Sequence, residues 1–364
     1  MESMQGGGAE KVLLDLLANI DKSRYEIELL IVFRTGALLD RLPSDIPVTF
    51  LYPGKPKGVR RIIEHFVAGR DFLYNRDAQR FASGKHWDVI ISFMEGPALK
   101  IHNCIADKAD RNITWVHINL GVTHWTKFLY HDDKDEASDY HVMDNIVFVS
   151  NGAKQAFSDK FGITGDHLKV IHNIIPVETI RERAKEFKVE KDKFTLCTVG
   201  RLVEQKRFDR LLEAVSILIK RGLDFRLWIL GAGKLEAELK AKSKQLGLDD
   251  YVYFLGFQSN PYPYLSAADI FVLSSDTEGY PTVVCEAISL GKPIVSTDIT
   301  GSRELLENGI GILTDTTAEA LADGILSLMN NKEHLNSQSK IALKASERFD
   351  KGKVLEKIYQ LIDA

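Results

Sequence analysis

The sequence predicts an α/β protein of two domains, each built on an open parallel sheet, and three observations lead to this prediction. The chain has 364 residues, which suits two domains of roughly 150 to 200 residues better than one core. Short β-branched runs alternate with amphipathic helices along the chain, a pattern typical of parallel sheets with right-handed crossovers. The runs are almost continuously apolar, as expected of strands buried on both faces.

The predicted strands of the first half lie at residues 26–33, 88–93, 113–117 and 145–150, and those of the second half at residues 194–200, 225–231, 251–256, 270–275 and 293–297. The segments between the runs read as helices. Residues 207–222, for example, repeat apolar side chains at the 3.6-residue period and end at a glycine.

The domain boundary is predicted near residues 172–177, a short proline-containing connection after an apolar run. The first domain then comprises residues 1–173 and the second residues 174–345. Residues 346–364 form a closing helix that is expected to return to the first domain. Because ligands of open α/β sheets bind at the carboxyl ends of strands, candidate functional residues are expected where strands end.

Composition excludes several classes of protein. With 47 basic and 51 acidic residues the net charge is −4, which does not fit a nucleic-acid binder. Three cysteines lie far apart without a Cys-x-x-Cys spacing, which disfavours a disulfide framework or a zinc site and favours the reducing cytoplasm. The amino terminus does not resemble a signal peptide, and no apolar run reaches the ~18 residues that a spanning helix needs.

A weak peripheral contact with the inner face of the cell membrane is predicted from residues 55–66. This stretch has four basic residues beside Ile62, Ile63 and Phe66, a combination that suits an anionic lipid surface. A basic loop that leads into an ordinary core helix explains the stretch equally well.

The strand that ends at Val199 leads into a turn that carries Gly200, Arg201 and Lys206. Two cations near the start of a helix suit a diphosphate, because helix amides favour anions and arginine can bind phosphate through two hydrogen bonds. An exposed basic turn without a ligand is the alternative interpretation.

The next strand ends at Gly231 and Gly233, where the backbone can approach a ligand closely. The spacing is also common in plain turns. Position 236 is Glu, so the glycine fingerprint of dinucleotide-binding proteins is incomplete, which disfavours an NAD-dependent oxidoreductase.

The segment from Ser274 to Pro293 contains the most specific pattern. Pro281 suits the first turn of a helix whose amides at Thr282 and Val283 can face a ligand. Glu278 precedes that helix. Glu286 lies eight residues after Glu278, inside the helix and within a mostly apolar stretch. A buried carboxylate there needs a partner such as ribose hydroxyls, although a capping acid and a surface Glu remain the alternative.

The ordered motifs GRLVEQK, LGAGKLE, FLGF and EGYPTVVCEA resemble the large family of retaining glycosyltransferases with the GT-B fold and the E-x7-E signature. The resemblance implies two Rossmann-like domains that face a cleft. It further implies that Arg201 and Lys206 bind the donor diphosphate and Glu286 the ribose. The stretch GFQSN would hold the base, largely through backbone groups near Phe257. Glu278 and the loop through Gly279, Tyr280 and Pro281 would meet the transferred sugar.

In the first half the resemblance is looser. Gly7 and Gly8 correspond to the family's glycine loop, which approaches the donor phosphates, although ordinary loop glycines explain them as well. His117 matches a histidine near the transferred sugar. Trp125, Phe128 and Tyr130 either line an acceptor site or belong to the core.

The family's first strand is missing from the sequence, since only five residues precede Gly6. A misplaced start, a shortened chain or a degenerate protein would each explain the difference. Neighbouring strands are expected to keep unpaired edges as a result.

The predicted function is the transfer of a sugar, with retention of configuration, from a nucleotide-diphosphate sugar to a glycan or lipid-diphosphate-linked glycan in surface polysaccharide synthesis. The resemblance implies that the nucleotide is UDP. No cofactor or metal is expected, and Asp133 and Asp135 are interpreted as part of a solvated loop. A sugar-nucleotide epimerase of the same fold and a non-catalytic nucleotide-sugar-binding protein are the alternatives.

Overall fold

The computed structural model of the protein describes residues 1–54 and 71–364. Residues 55–66, on which the membrane prediction rests, lie outside this part of the chain. The chain divides into two units, of which the first comprises Met1–Ile174 and Gly352–Ala364 and the second comprises Ile175–Lys351. Each unit contains parallel strands that alternate with helices, as the sequence predicted.

The first unit contains two parallel sheets within the described residues. Strand β1 pairs with β2 in one sheet, and β3, β4, β5 and β6 follow one another in the other. The strands are β1 (Leu29–Phe33), β2 (Val48–Tyr52), β3 (Trp87–Ser92), β4 (Ala109–Val116), β5 (Asn145–Phe148) and β6 (Leu168–Val170).

The residues before Gly6 form no strand, as predicted, but they do not leave the neighbouring strand unpaired. The backbone N–H groups of Val32 and Phe33 in β1 donate to the carbonyls of Met1 and Glu2, over 3.0 and 2.8 Å. Met4 is fully buried. The prediction that the edge of β1 stays unpaired is therefore wrong, because the first residues of the chain form hydrogen bonds along it.

The helices of the first unit that precede residue 174 are α1 (Gly8–Asn19), α2 (Asp71–Phe81), α3 (Pro97–Asn103), α4 (Asp133–His141) and α5 (Asn151–Phe161). The acidic run interpreted as a loop is in fact the start of α4. The carboxylate of Asp132 accepts hydrogen bonds from the N–H groups of Lys134 and Asp135, which caps the helix. Acidic side chains also suit the positive end of the helix dipole.

The second unit contains one six-stranded parallel sheet whose order is β12-β11-β10-β7-β8-β9. The strands are β7 (Thr195–Val199), β8 (Arg226–Leu230), β9 (Val252–Gly256), β10 (Ile270–Leu273), β11 (Ile294–Thr297) and β12 (Ile312–Thr314). The direction of strand succession reverses between β7 and β10. This is the strand order of a Rossmann fold, and ligands of such sheets bind outside the carboxyl ends of the strands at the reversal.

The helices of the second unit are α6 (Val177–Arg183), α7 (Phe208–Lys220), α8 (Glu236–Gln245), α9 (Tyr262–Ala267), α10 (Thr282–Ser289), α11 (Thr300–Leu306), α12 (Ala318–Met329) and α13 (Lys332–Ala345). Their apolar faces cover the sheet. One continuous core joins Leu211 and Leu212 of α7 to Leu227 and Ile229 of β8 and to Leu321 of α12.

The closing helix α14 (Lys351–Asp363) packs within the first unit, where it buries Leu355, Ile358 and Leu361 and also makes polar and aromatic contacts. The ring of Tyr359 stacks on Tyr25 with centroids 5.7 Å apart, and Arg24 forms an ion pair with Asp363. The hydroxyl of Tyr359 also accepts a hydrogen bond from the N–H of Asp21 over 3.0 Å. Within residues 1–54 and 71–364, no helix is both long enough and apolar enough to cross a membrane.

Two glycines allow the turns after β7 and β8 to touch. A Cβ atom on Gly231 would lie 1.9 Å from the carbonyl oxygen of Gly200, and one on Gly233 would lie 2.3 Å from the carbonyl oxygen of Leu202. Gly231 also has a φ of +141°. The sequence indicated that the backbone at Gly231 and Gly233 could approach a ligand closely. In the structure, the turn after β7 lies in that space instead.

Replacing Gly231 by alanine is expected to lower the free energy of unfolding by about 3 kcal/mol, since the new Cβ overlaps backbone at a left-handed φ. Gly247→Ala is the matched control, because Gly247 has a φ of +70° but open space around its Cβ position. We expect the control to cost about 1 kcal/mol. Urea denaturation followed by circular dichroism measures both, and equal costs would contradict the backbone overlap as the cause.

Candidate functional site

The candidate site lies at the carboxyl ends of β7 and β10, which are neighbours in the sheet of the second unit. The turn after β7 carries Lys206, and the turn after β10 carries Glu278. Their side chains form an ion pair, with 17% and 11% of their side-chain surfaces exposed. The hydroxyl of Ser275 donates to the same carboxylate over 2.7 Å. The structure thus brings together two residues that the sequence placed at different strand ends.

Backbone hydrogen bonds hold these two turns together. The amide nitrogen of the Gln205 side chain donates to the carbonyl of Thr277 over 2.6 Å, and the N–H of Asp276 donates to the carbonyl of Gln205 over 2.9 Å. The hydroxyl of Ser274 donates to the carbonyl of Lys206 over 2.8 Å. The position of Lys206 relative to Glu278 is therefore set by the backbone as well as by the ion pair.

Two arginines fix the Asp276 turn from the side of α7. Arg210 is 5% exposed and donates to the carbonyl of Ser274 over 2.8 Å and to the carboxylate of Asp276 over 2.5 Å. Arg207 reaches both Asp209 and Asp276, and its φ of +50° is unusual for a residue other than glycine. The sequence analysis missed this network, although Arg207 and Arg210 stand directly after the basic turn that it singled out.

Arg201 lies in the turn after β7 and its side chain is exposed. The carbonyl of Arg201 accepts a hydrogen bond from the N–H of Val203 over 2.9 Å, so its backbone is fixed while its guanidinium faces solvent. An anion at this turn would meet Arg201 directly, whereas it would meet Lys206 only in competition with Glu278.

The loop from Glu278 to Pro281 is packed against the start of α11. A Cβ on Gly301 would lie 2.8 Å from the carbonyl oxygen of Glu278 and 2.9 Å from that of Gly279. Tyr280 is 8% exposed, and burial holds the pKa of its hydroxyl well above the usual range. The loop is therefore held in place with the Tyr280 ring buried, and the predicted contact of this loop with a sugar stays a prediction.

Helix α10 begins directly after Pro281, as predicted, and no side chain of the capping residue covers its first turn. Thr282 and Val283 lie in that turn and are half-buried. Glu286 is 5% exposed and lies on the second turn of the helix. The second carboxylate of the pattern is therefore buried.

Phe257 follows β9 and its side chain is 56% exposed. The chain turns at Gly256, whose φ is +68°, so that the ring leaves the sheet instead of continuing into the core. An exposed aromatic ring at a strand end offers a flat surface for a base. The predicted contact of the base with the backbone near Phe257 stays a prediction.

In the first unit, Gly7 is the capping residue of α1 and Gly8 is its first residue. A glycine cap has no side chain, so no side chain of the capping residue covers the first backbone N–H groups of α1. These two glycines and His117 belong to the first unit, and their predicted contacts with a donor stay predictions.

His117 follows β4, and its ring lies 5.0 Å from the ring of Phe93. The imidazole bonds to the backbone of Phe93, and its Nε2 atom is buried without a hydrogen-bond partner among the described residues. Burial lowers the pKa of His117 to about 4, so the ring is neutral at pH 7.

A second acid near this histidine was missed by the sequence analysis. Glu95 is 1% exposed and lies in the turn after β3, where its carboxylate accepts a hydrogen bond from the N–H of His117 over 3.0 Å. Burial raises the pKa of Glu95 above its ordinary value. A Glu-Gly-Pro sequence directly after an apolar strand was the available signal, since it is a carboxylate at a strand end.

Possible metal ligands do not cluster within the part of the chain that the structure describes: no three side chains of His, Cys, Asp or Glu lie close enough to hold an ion. The acidic run at the start of α4 has local partners instead. Asp133 pairs with Lys160 over 2.9 Å, and Asp135 accepts from the N–H of His131 over 2.9 Å.

Comparison with known proteins assigns the part of the chain that carries this site. Residues 179–345 match the family model described as Glycosyl transferases group 1. The ion pair of Lys206 and Glu278, the network around Asp276, and helix α10 all lie inside this glycosyltransferase domain. The match covers the second unit and does not extend to the residues of the first.

Two curated relatives illustrate the range of similar proteins. An N-acetylgalactosaminyltransferase of Campylobacter jejuni, which acts on a diacetylbacillosaminyl-diphospho-undecaprenol acceptor by its name, is 32% identical over 59% of this chain and 59% of its own length. The amylovoran biosynthesis glycosyltransferase AmsK of Erwinia amylovora is 37% identical over 36% of this chain and 35% of its own. The chain thus spans well under two thirds of these relatives.

Solved structures extend the likeness to the whole chain. HepE of Anabaena, solved with UDP and glucose, has a TM-score of 0.77 at 21% identity and covers 100% of this chain and 98% of its own. TarM of Staphylococcus aureus has a TM-score of 0.67 at 17% identity and covers 80% of this chain and 59% of its own. The fold is therefore of the GT-B type, with two Rossmann-like units, as predicted.

Two histidines of the first unit whose pKa values are lowered make its stability depend on pH. His102 in α3 lies between the hydroxyl of Ser92, at 3.0 Å, and the amide oxygen of Asn112, at 2.9 Å. Burial lowers the pKa of His102 to about 4, like that of His117. The unfolded chain binds protons at these rings near pH 6.5, whereas the folded chain does not.

We therefore expect the free energy of unfolding to fall as the pH drops from 7 to 5, by about 2 kcal/mol for each ring. The stabilisation is complete above the unfolded pKa and is lost towards the folded pKa. His102→Gln removes one of these two histidine titrations and is expected to make the slope clearly shallower. Urea denaturation at a series of pH values measures it, and an unchanged slope in this variant would contradict the assignment.

Proposed function

We propose that this protein is a glycosyltransferase that moves a sugar from a nucleotide-diphosphate sugar to a glycan or lipid-linked glycan acceptor. The observation that carries the proposal is the pairing of Lys206 with Glu278 at the carboxyl ends of β7 and β10. These strands flank the reversal of strand order, where such sheets bind nucleotides. The glycosyltransferase domain matched at residues 179–345 contains both residues.

The donor diphosphate is assigned to the turn after β7. Arg201 is exposed there and can form two parallel hydrogen bonds to phosphate oxygens, while Lys206 supplies a second positive charge. The first-turn amides of α10 at Thr282 and Val283 favour the same anion. These groups stabilise the leaving diphosphate without a metal ion, which makes the proposed reaction metal-independent.

The nucleoside is assigned to the far side of this turn. Glu286 is buried on the second turn of α10 and would accept hydrogen bonds from the two ribose hydroxyls. The exposed ring of Phe257 would support the base. Uracil is the proposed base, and the structure of HepE with UDP supports this choice by fold likeness.

We propose that the transfer retains the configuration at the anomeric carbon. The bond from that carbon to the diphosphate oxygen breaks as a bond to the acceptor oxygen forms on the same face. The acceptor proton passes to the departing diphosphate. Glu278 and His117 would hold the sugar hydroxyls, and neither acts as a nucleophile.

The acceptor is proposed to be a growing surface glycan or a lipid-diphosphate-linked glycan. The names of the Campylobacter jejuni and Erwinia amylovora relatives support this class, since one names a diphospho-undecaprenol acceptor and the other the biosynthesis of an exopolysaccharide, amylovoran. Such acceptors are assembled at the cytoplasmic face of the membrane. A cytoplasmic site of action with a weak peripheral contact to that face follows from this proposal.

Calorimetric titration with UDP, GDP and ADP sugars tests the donor site. We expect one of these donors to bind with a Kd in the micromolar range and Arg201→Ala to weaken it by about 10-fold or more, because a charged bidentate contact is lost. Arg303→Ala is the control, since Arg303 lies in the same unit but pairs with Asp298. A folded wild-type chain that binds none of them would contradict the proposal, and binding without transfer to any acceptor would favour a non-catalytic binding protein.

Glu278→Gln separates binding from transfer. Removing the negative charge frees Lys206 for the diphosphate, so UDP without a sugar is expected to bind about 3- to 10-fold more tightly. Transfer is expected to fall by about 100-fold or more, because the sugar loses its carboxylate partner. Asp298→Asn removes an exposed carboxylate of the same unit and serves as the control. Weaker binding of UDP to Glu278→Gln would contradict a competition between carboxylate and diphosphate for Lys206.

A further inference from the structure

Glu95 is a buried carboxylate that contacts His117, a predicted site residue of the first unit. It follows β3 and precedes Gly96, whose φ is +75°. A Cβ on Gly96 would lie 2.6 Å from the ring of Trp125, so the turn and this ring are in close contact. The turn after β3 is therefore shaped to hold the carboxylate at one position.

Both oxygens of Glu95 accept a hydrogen bond. One accepts from the backbone N–H of His117 over 3.0 Å, and the other accepts from the indole N–H of Trp125 over 2.9 Å. Strand β4 leads directly to His117, and Trp125 lies in the loop that follows it. A single buried carboxylate thus joins the end of β4 to that loop.

The imidazole of His117 is held by the same turn. The ring bonds to the backbone of Phe93, which lies two residues before Glu95, and packs against the Phe93 ring. The hydrogen bond with the Phe93 backbone is assigned to Nδ1, because Nε2 has no hydrogen-bond partner among the described residues. The neutral ring therefore carries its proton on Nδ1 and presents the lone pair of Nε2.

We infer that Glu95 is a positioning residue that fixes the backbone of His117, so that Nε2 of this histidine accepts a hydrogen bond from a substrate hydroxyl. The turn between β3 and α3 grips His117 at two points, the backbone N–H through Glu95 and the ring through the carbonyl of Phe93. A buried, partnerless Nε2 is costly in the ligand-free protein, and a hydroxyl donor would remove that cost. The inference rests on the proposed function for the identity of the substrate.

Glu136 provides a matched control on the same loop. It is fully buried in α4 and accepts from the hydroxyl of Thr126 over 2.7 Å and from Nε2 of His124. It therefore holds the neighbours of Trp125 as Glu95 holds Trp125 itself. Glu136 accepts these hydrogen bonds from side chains of the loop, whereas Glu95 also accepts one from the backbone N–H of His117.

The first test observes the His117 ring directly, without any substrate. Long-range ¹H–¹⁵N spectra of histidine-labelled protein, assigned with His117→Gln, report which ring nitrogen carries the proton. We expect the Nδ1–H form in the wild type. In Glu95→Gln the side-chain NH₂ faces one of the two N–H donors and cannot accept its hydrogen bond. His117 then loses its fixed position, so its ring signals should shift towards an average of the two tautomers. Glu136→Gln should leave the His117 signals unchanged.

The second test is a double-mutant cycle on transfer. Glu95→Gln is expected to lower kcat by about 10- to 100-fold with a much smaller change in KM, as displacement of a positioned group does. In the His117→Ala background the same substitution should have almost no further effect, because Glu95 acts through His117. Losses that multiply would show that Glu95 acts independently and would overturn the inference.

Trp125→Phe keeps the inference testable if Glu95→Gln does not fold. It removes the indole donor but retains the hydrogen bond that the backbone N–H of His117 donates to Glu95, so a smaller shift of the His117 signals in the same direction is expected. Unchanged His117 signals in both folded variants would overturn the inference. If the wild type transfers no sugar, the proposed function fails, while the ring spectra still decide whether Glu95 positions His117.

Discussion

The arrangement of the candidate site depends on the adjacency of β7 and β10. These strands are far apart in the sequence but neighbours in the sheet, so the turns that follow them meet at one edge. The hydrogen bonds of Gln205, Asp276 and Ser274 join the two turns through backbone groups. The ion pair of Lys206 with Glu278 follows from this contact, because the backbone brings the two side chains together before any ligand binds.

The first unit uses the same principle with different residues. Strands β3 and β4 are parallel neighbours, and the turn after β3 meets the end of β4. A buried carboxylate, Glu95, joins the two, as backbone hydrogen bonds join the turns of the second unit. In both units, a side chain proposed to bind the sugar is held by the turn of the adjacent strand rather than by its own element alone.

Much of this could be predicted from the sequence, because strand ends are visible in apolar periodicity. The strand of Val199, the turn with Lys206 and the helix after Pro281 lie where the pattern placed them. Pairings between distant turns could not be predicted, since no local pattern records that β7 lies beside β10. Glu95 was missed for the same reason: a glutamate in a turn looks like a surface residue until the neighbouring strand buries it. The acidic run at the start of α4 was interpreted as a loop because helix caps and solvated loops have similar compositions.

An inorganic anion that approaches Lys206 meets a lysine whose charge is already neutralised by a carboxylate. Phosphate or sulfate would have to separate the pair and would leave Glu278 buried beside Ser275 without a cation. A ligand that offers both an anionic group and hydroxyl groups would replace both interactions at once, with the anion at the lysine and the hydroxyls at the carboxylate. Under the proposed function, the ion pair would therefore favour a sugar diphosphate over a simple anion at Lys206, while Arg201 is open to either.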